Sequence, residues 1–343
     1  MQNAYLGFQQ LDHFRRFQGQ AMDRMGLGPV ESEFSVIHQQ PGLRLREYGR
    51  GTADSAPLLI VPAPIKRPYI WDLAPERSVV RRALAQRAGV YMVEWDEPDA
   101  TLAPGLADYA GTMLANCVDA ILARTGAKQV ILAGHSLGGI FSAIHSAYRP
   151  EHVAALVLVD VPLHFAPAPA GATPEAHRAA PIPACIPGSM LSAGTARAAP
   201  YSFCTRRFLD RMASFPSHEK SLSHWRVERW TLDELPMSGK LFEDLSHLRA
   251  DNSFMRGELA INEKTVGPQQ VVAPLFGIYE PEGGFVPAAA VLEFCNAAGS
   301  EHKEFAPYHG DVGVALQHVG PLVGDSAHRD IWPRVFNWLA ASS

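Results

Sequence analysis

Gln129-Val-Ile-Leu-Ala-Gly-His-Ser-Leu-Gly-Gly-Ile-Phe-Ser-Ala-Ile-His-Ser-Ala147 decides how the rest of this chain is read. Val130 to Ala133 form a short apolar run, the pattern of a buried strand, and a helix rich in small residues opens near Leu137. Between them Gly134-His135-Ser136-Leu137-Gly138 matches G-x-S-x-G. A serine hydroxyl is a weak nucleophile and must stand clear of the sheet, where a base can take its proton. A sharp strand-to-helix turn exposes it, and flanking glycines remove side chains that would collide with strand and helix. The start of the helix directs backbone N–H groups at the reacting centre, making the Leu137 amide a candidate oxyanion donor. A bare G-x-S-x-G also arises by chance as a glycine-rich turn. Here the apolar run before it and the helix after it mark Ser136 as a candidate nucleophile.

Working outward, strand and helix patterns alternate. Leu58 to Val61 read as a buried strand entering the proline-rich loop Pro62-Ala-Pro-Ile65. In a fold of this kind that loop supplies the second oxyanion donor. Pro62 and Pro64 have no N–H, so the candidates are Ala63, Ile65 or a neighbour. A helix over 76–87, a strand over 89–95, a helix over 106–125 and a strand over 153–159 ending at Asp160 follow. The sheet resumes at 274–279 and 303–308, and an amphipathic helix over 329–340 closes the chain. Strands alternating with helices at these intervals predict an α/β fold with a mostly parallel, doubly wound sheet. Before this region, Phe34 to Ile37 and Leu43 to Tyr48 alternate as antiparallel edge strands do.

Two segments stand outside the pattern. Residues 1–29 hold an amphipathic helix with Tyr5, Phe8, Leu11, Phe14, Met22 and Met25 at largely helical spacing, suited to packing on its own domain or docking to a hydrophobic partner. From His164 to about Pro200 the chain is rich in alanine, proline and glycine, and 201–257 is helical and aromatic. The expected organisation is a core from 30–163 and 261–343, with 164–260 inserted as a helical cap that excludes water and shapes a pocket. A helical elaboration with no lid role is the alternative.

Composition narrows the function. With 343 residues, 47% hydrophobic and 19% charged, the chain reads as a soluble globular protein. A net charge of −5 and no basic cluster argue against nucleic acid as a partner. Cys117, Cys185, Cys204 and Cys295 are scattered without a C-x-x-C, which points to free thiols and a cytoplasmic location rather than zinc or disulfides. No run reaches transmembrane length, and the N-terminus lacks the apolar core of a signal peptide.

Several stretches resemble one family within the α/β-hydrolase superfamily, the polyhydroxyalkanoate synthases. They are Pro57-Leu-Leu-Ile-Val-Pro-Ala-Pro-Ile-Lys-Arg-Pro-Tyr-Ile-Trp-Asp-Leu-Ala-Pro-Glu-Arg-Ser-Val-Val80, Val93-Glu-Trp-Asp-Glu-Pro-Asp99, Asn252-Ser-Phe-Met-Arg-Gly-Glu-Leu259, His318-Val-Gly-Pro-Leu-Val-Gly324 and Trp332-Pro-Arg-Val-Phe-Asn-Trp338. The resemblance covers most of 55–340 and thins in the cap. It implies the α/β-hydrolase fold, a hydroxyacyl ester or thioester as substrate, and no metal or bound cofactor. A storage-granule surface and a second copy in a homodimer are the macromolecular partners compatible with it.

The chain departs from the family twice. The family's nucleophile is a cysteine, and Ser136 stands there. A cysteine thioester keeps the potential to pass its acyl group to another hydroxyl, whereas a serine oxyester lies closer to the products of hydrolysis. The family's aspartate stands four residues before the proline of a Val-Pro pair, and counting back from Pro287 reaches Gly283. The acid is then Glu282, beside that glycine, or Asp160, at the end of the strand after the nucleophile strand; the two remain equal candidates. For the base, His318 carries the family context and is preferred to His309, which directly follows the last strand. His135 is expected to line the pocket. The leading expectation is a serine hydrolase of 3-hydroxyacyl esters or thioesters. The alternatives are a synthase-like acyltransferase and a non-catalytic member that binds granules or a synthase.

Overall fold

The computed structural model describes residues 2–49, 55–86, 89–99, 101–165 and 182–341. Eight strands form the central sheet: β1 (Ser35–Gln40), β2 (Leu43–Gly49), β3 (Leu58–Val61), β4 (Val90–Trp95), β5 (Val130–His135), β6 (Val153–Val159), β7 (Leu275–Tyr279) and β8 (Lys303–Pro307). Their spatial order is β1-β2-β4-β3-β5-β6-β7-β8. β1 and β2 pair antiparallel and β2 joins β4 antiparallel; the pairings from β4 to β8 are parallel. Of the two strands expected at an edge, only β1 lies there.

The parallel strands read as unbroken apolar runs because both faces are covered. Side chains alternate between two cores. Leu59, Val61, Tyr91, Val93, Leu132 and Leu158 face one; Leu58, Ile60, Met92, Ile131, Val157 and Ile278 face the other. Helices α1 (Gln2–Arg24), α2 (Val79–Gln86), α3 (Leu114–Thr125) and α4 (Leu137–Tyr148) precede β6 in sequence. Between β6 and β7 lie α5 (Gly188–Ala198), α6 (Arg206–Ser214), α7 (His218–Thr231) and α8 (Gly239–Asp251), and α9 (Ala288–Ala297), α10 (Gly320–Val323) and α11 (Trp332–Ala341) complete the chain. The stretch 166–181, most of the first part of the alanine- and proline-rich region, lies outside the described residues. Among the described residues, no helix is long and apolar enough to cross a membrane.

Three helix boundaries differ from the periodicity. The helix expected over 76–87 starts at Val79, because Asp72–Ala74 and Arg77–Ser78 form a small hairpin. Ser78 Oγ accepts from the Arg81 N–H at 2.8 Å and donates to Asp72, capping α2. The helix before β5 opens through a widened turn at Asp108–Met113. Within it the Ala110 carbonyl accepts from His145 Nδ1 at 2.8 Å. A similar turn at Ala327–Ile331 delays α11 to Trp332.

Two buried histidines make this fold sensitive to acid. Burial lowers His145 to about 4. His328 falls to about 3 through burial and then Arg82, whose Nε donates to its Nδ1 at 2.7 Å. Both imidazoles are neutral in the fold, so between the unfolded value near 6.5 and these lowered values the unfolded chain binds protons that the native state refuses. Their contribution is complete above about pH 6.5 and is lost as the pH falls, by about 2 kcal/mol each at pH 5. Urea unfolding at pH 7 and pH 5 should show a lower midpoint at pH 5, and His328→Gln should narrow the difference without abolishing it, since His145 remains. Equal midpoints would mean that these imidazoles take up protons in the native state.

Candidate active site

The strand-to-helix turn at Ser136 is forced by close packing. Ser136 has φ 53° and ψ −125°, a sparsely populated conformation that costs roughly 1–3 kcal/mol and persists only where its surroundings impose it. Its N–H donates to the Val159 carbonyl at 3.2 Å, and its carbonyl accepts from Gly139 and Ile140. A Cβ at Gly138 would stand 1.9 Å from the Val61 carbonyl oxygen, and one at Gly139 would stand 2.2 Å from Val161 Cγ2. Glycine at both positions lets α4 cross β3 and β6 this closely. The Leu137 N–H lies in the first turn of α4, where backbone donors have no partner within the helix.

Register brings the acid to the same edge. His135 pairs with Val159, so Ser136 and Asp160 are the next residues on adjacent strands. Asp160 also has positive φ, at 49°, with its N–H held by the Ile278 carbonyl at 2.8 Å. It is 1% exposed, and its Oδ2 lies 2.5 Å from His318 Nδ1. His318 follows a loop that runs from the end of β8. His135 is buried beneath it and donates from Nε2 to the His318 carbonyl at 2.8 Å, with ring centroids 4.4 Å apart. Burial, and then the neighbouring imidazole, push His135 well below its ordinary value, so it stands as a neutral donor. Phe285 packs edge-on against His318, at 4.9 Å between centroids.

The structure therefore brings Ser136, His318 and Asp160 together and leaves two other candidates outside. Glu282 is exposed, in the turn that leaves β7. Its neighbour Glu280 is buried in an ion pair with Arg206. Of the two acids, Glu282 is exposed in this turn, whereas Asp160 holds the contact to the imidazole's Nδ1, so the geometry favours Asp160. Gly283 has φ +53°, and a Cβ there would meet Pro287 Cα at 3.1 Å, so an aspartate at the family's position would be strained. His309 is exposed.

Ser136 and His318 open into one cavity of about 510 Å³ lined chiefly by apolar side chains. Ala63 and Ile65 line it beside Leu137, and the loop that carries them is held by a bond from Trp95 Nε1 to the Pro62 carbonyl and one from the Leu235 N–H to the Ile65 carbonyl. Leu191, Phe203 and Trp230 close it from the inserted helices, and Leu11 and Arg15 reach it from α1. One wall is polar: Lys66 Nζ bonds Glu234 Oε1 at 3.0 Å, and Arg15 bonds Glu234 Oε2 at 2.9 Å. Burial lowers Lys66 to about 8, against the pull of Glu234. The sequence reading missed Phe285, Lys66 and Arg15. Phe285 adjoins the Val286-Pro287 pair and Lys66 lies within the Pro57–Val80 stretch that resembles the family, whereas Arg15 had no such signal. Cys117, Cys185, Cys204 and Cys295 are all free, and no cluster among the described residues could hold a metal ion.

Comparison with known proteins adds a lineage to this geometry. Residues 77–230 match the family model described as the alpha/beta hydrolase fold. Over 339 residues the chain is 27% identical to the poly(3-hydroxyalkanoate) polymerase subunit PhaC of Haloferax mediterranei, covering 95% of this chain and 67% of that protein. It is 25% identical over 354 residues to the PhaC subunit of Allochromatium vinosum, covering 96% and 95%. The chain is similar to polyhydroxyalkanoate synthases over nearly its whole length and has the α/β-hydrolase fold. Solved structures agree on the fold. The monoacylglycerol lipase of Paleococcus ferrophilus superposes with a TM-score of 0.53 at 12% identity, over 88% of the synthase-like chain and 99% of the lipase. A soluble variant of the Saccharomyces cerevisiae monoglyceride lipase gives 0.55 at 11% identity, over 92% and 95%. The polymerase relatives and the fold together support an enzyme.

Proposed function

We propose that this synthase-like protein is an acyltransferase that takes a 3-hydroxyacyl group from a thioester onto Ser136 and passes it to a hydroxyl acceptor. The observation that carries the reading is that Ser136 and His318, the latter bonded to Asp160, share one apolar cavity in a chain similar to polymerase subunits over nearly its whole length. Ser136 Oγ attacks the acyl carbon as His318 Nε2 takes its proton. The C–S bond breaks, and the leaving thiolate receives that proton. Asp160 accepts from Nδ1, holds the imidazole in this tautomer and stabilises the imidazolium. The N–H of Leu137, with that of Ala63 or Ile65, stabilises the oxyanion. An acceptor hydroxyl then gives its proton to His318 as its oxygen bonds the acyl carbon; the bond from that carbon to Ser136 Oγ breaks, and Ser136 takes the proton back from His318. The helices over 182–260 act as the cap, since Leu191, Phe203 and Trp230 close the cavity from there.

Serine at 136 favours a second reading, in which water is the acceptor and the product is the free hydroxyacid. Incubation with 3-hydroxybutyryl-CoA tests both. An adduct on Ser136 by intact mass with oligomeric product supports transfer, and an adduct with free acid supports hydrolysis. No adduct and no thiol release would overturn both. Ser136→Cys should lower cleavage of short p-nitrophenyl esters and raise the ratio of oligomer to free acid, because the thioester retains its transfer potential. A ratio unchanged from wild type would show that the pocket, rather than the nucleophile, selects the acceptor.

A further inference from the structure

A second buried carboxylate–imidazole pair sits between the inserted helices and the loop that carries His318. Asp210, on α6, is 6% exposed, and its Oδ2 accepts from His224 Nδ1 on α7 at 2.7 Å. The same carboxylate reaches across to the core. Oδ1 accepts from the Gly313 N–H and Oδ2 from the Ala315 N–H, each at 2.9 Å. Against the upward push of burial, these bonds hold the Asp210 carboxyl below its usual range, led by the one from His224.

The loop at those two donors is held in an unfavourable shape. Gly313 has φ 94° and Ala315 has φ 56°. A left-handed alanine costs roughly 1–2 kcal/mol and persists only where its surroundings impose it. α7 also crowds this loop: a Cβ at Gly313 would stand 2.7 Å from the Lys220 carbonyl. Three residues beyond Ala315 stands His318, bonded through Nδ1 to Asp160.

We propose that Asp210, oriented by His224, is a positioning residue that ties the inserted helices to the 313–315 loop and thereby sets where the His318 imidazole stands. Seating of the cap and placement of the base are then one event, because a single carboxylate joins His224 on the cap to the loop that leads to His318. The inference rests on His318 being the base in the reading above.

The test is steady-state kinetics of the full chain on a short p-nitrophenyl ester. A misplaced catalytic group costs about 10²-fold in rate. Asp210→Asn, which turns one acceptor into a donor, should lower kcat by about that factor while KM stays within roughly threefold. His224→Leu should follow Asp210→Asn, and His224→Asn, whose amide nitrogen stands near the place of Nδ1, should recover most of the lost kcat. Asp244→Asn is the control for another bond between the inserted helices and the core, since it alters the carboxylate that accepts from the Leu106 N–H at 2.7 Å and neither residue lines the cavity; it should leave kcat unchanged. A wild-type kcat in Asp210→Asn, or kcat losses that merely track the folded fraction, would overturn the inference. If Asp210→Asn does not fold, the two His224 variants decide, and equal kcat in both would overturn it. His318→Ala separates the two levels: full activity there refutes the proposed function itself, whereas inactivity there with normal Asp210→Asn kinetics refutes only the positioning role.

Discussion

Ser136→Ala should abolish ester cleavage and acyl transfer, lowering kcat by about 10⁵-fold or more, while the thermal midpoint changes little. The serine hydroxyl faces the cavity, and the packing at the turn comes from Gly138, Gly139 and the backbone bonds of residue 136. Removing it deletes the atom that forms the acyl-enzyme and leaves the fold's contacts in place. Groups of this kind act as a unit, so losing the nucleophile costs nearly as much as losing the whole set. Alanine retains the strain of positive φ already carried by serine, so a small loss of stability is compatible with the assignment. Labelling by a fluorophosphonate probe gives an independent readout: wild type should be labelled and Ser136→Ala should not. Wild-type activity or labelling in the variant would remove Ser136 from the mechanism.

Asp160→Asn should cost about 10⁴-fold in kcat, because an amide nitrogen facing Nδ1 holds the imidazole in the wrong tautomer. Glu282→Gln should be indistinguishable from wild type, since that carboxylate is exposed. The contrast matters more than either value. Asp160 is 1% exposed, so a loss of folded protein must be separated from a loss of chemistry by comparing midpoints and kcat on the same samples. Strong loss in Glu282→Gln with activity retained in Asp160→Asn would return the acid to the end of β7, where the family places it.

The outline of the fold was legible because its signals are local. A parallel strand covered on both faces must be apolar throughout, and Leu58 to Val61, Val130 to Ala133 and Val153 to Val159 say so in one dimension. The elbow was legible for the same reason: Gly134, Gly138 and Gly139 are placed by contacts that admit no side chain. Helix starts were less so. The hairpin at Asp72–Ser78 interrupts a good helical pattern, and its cause is a bond between Ser78 and Asp72 that periodicity does not register.

The amino-acid sequence by itself determined the sheet, the serine turn, and a short list of acids and bases from which any proton relay would be drawn. Only the tertiary structure shows which of them stand together. Asp160 and Glu282 stand 122 positions apart in sequence, and each follows a strand of the same sheet, so spacing ranks neither. The choice lies in register: β5 and β6 pair so that Ser136 and Asp160 emerge side by side, and the loop after β8 folds His318 back onto that edge. That loop is itself shaped by Asp210 from the inserted helices, more than 100 residues away in sequence. Hydrogen bonds between distant segments depend on ångström-scale placement, which is set by packing of the whole domain and leaves no periodic trace in the chain.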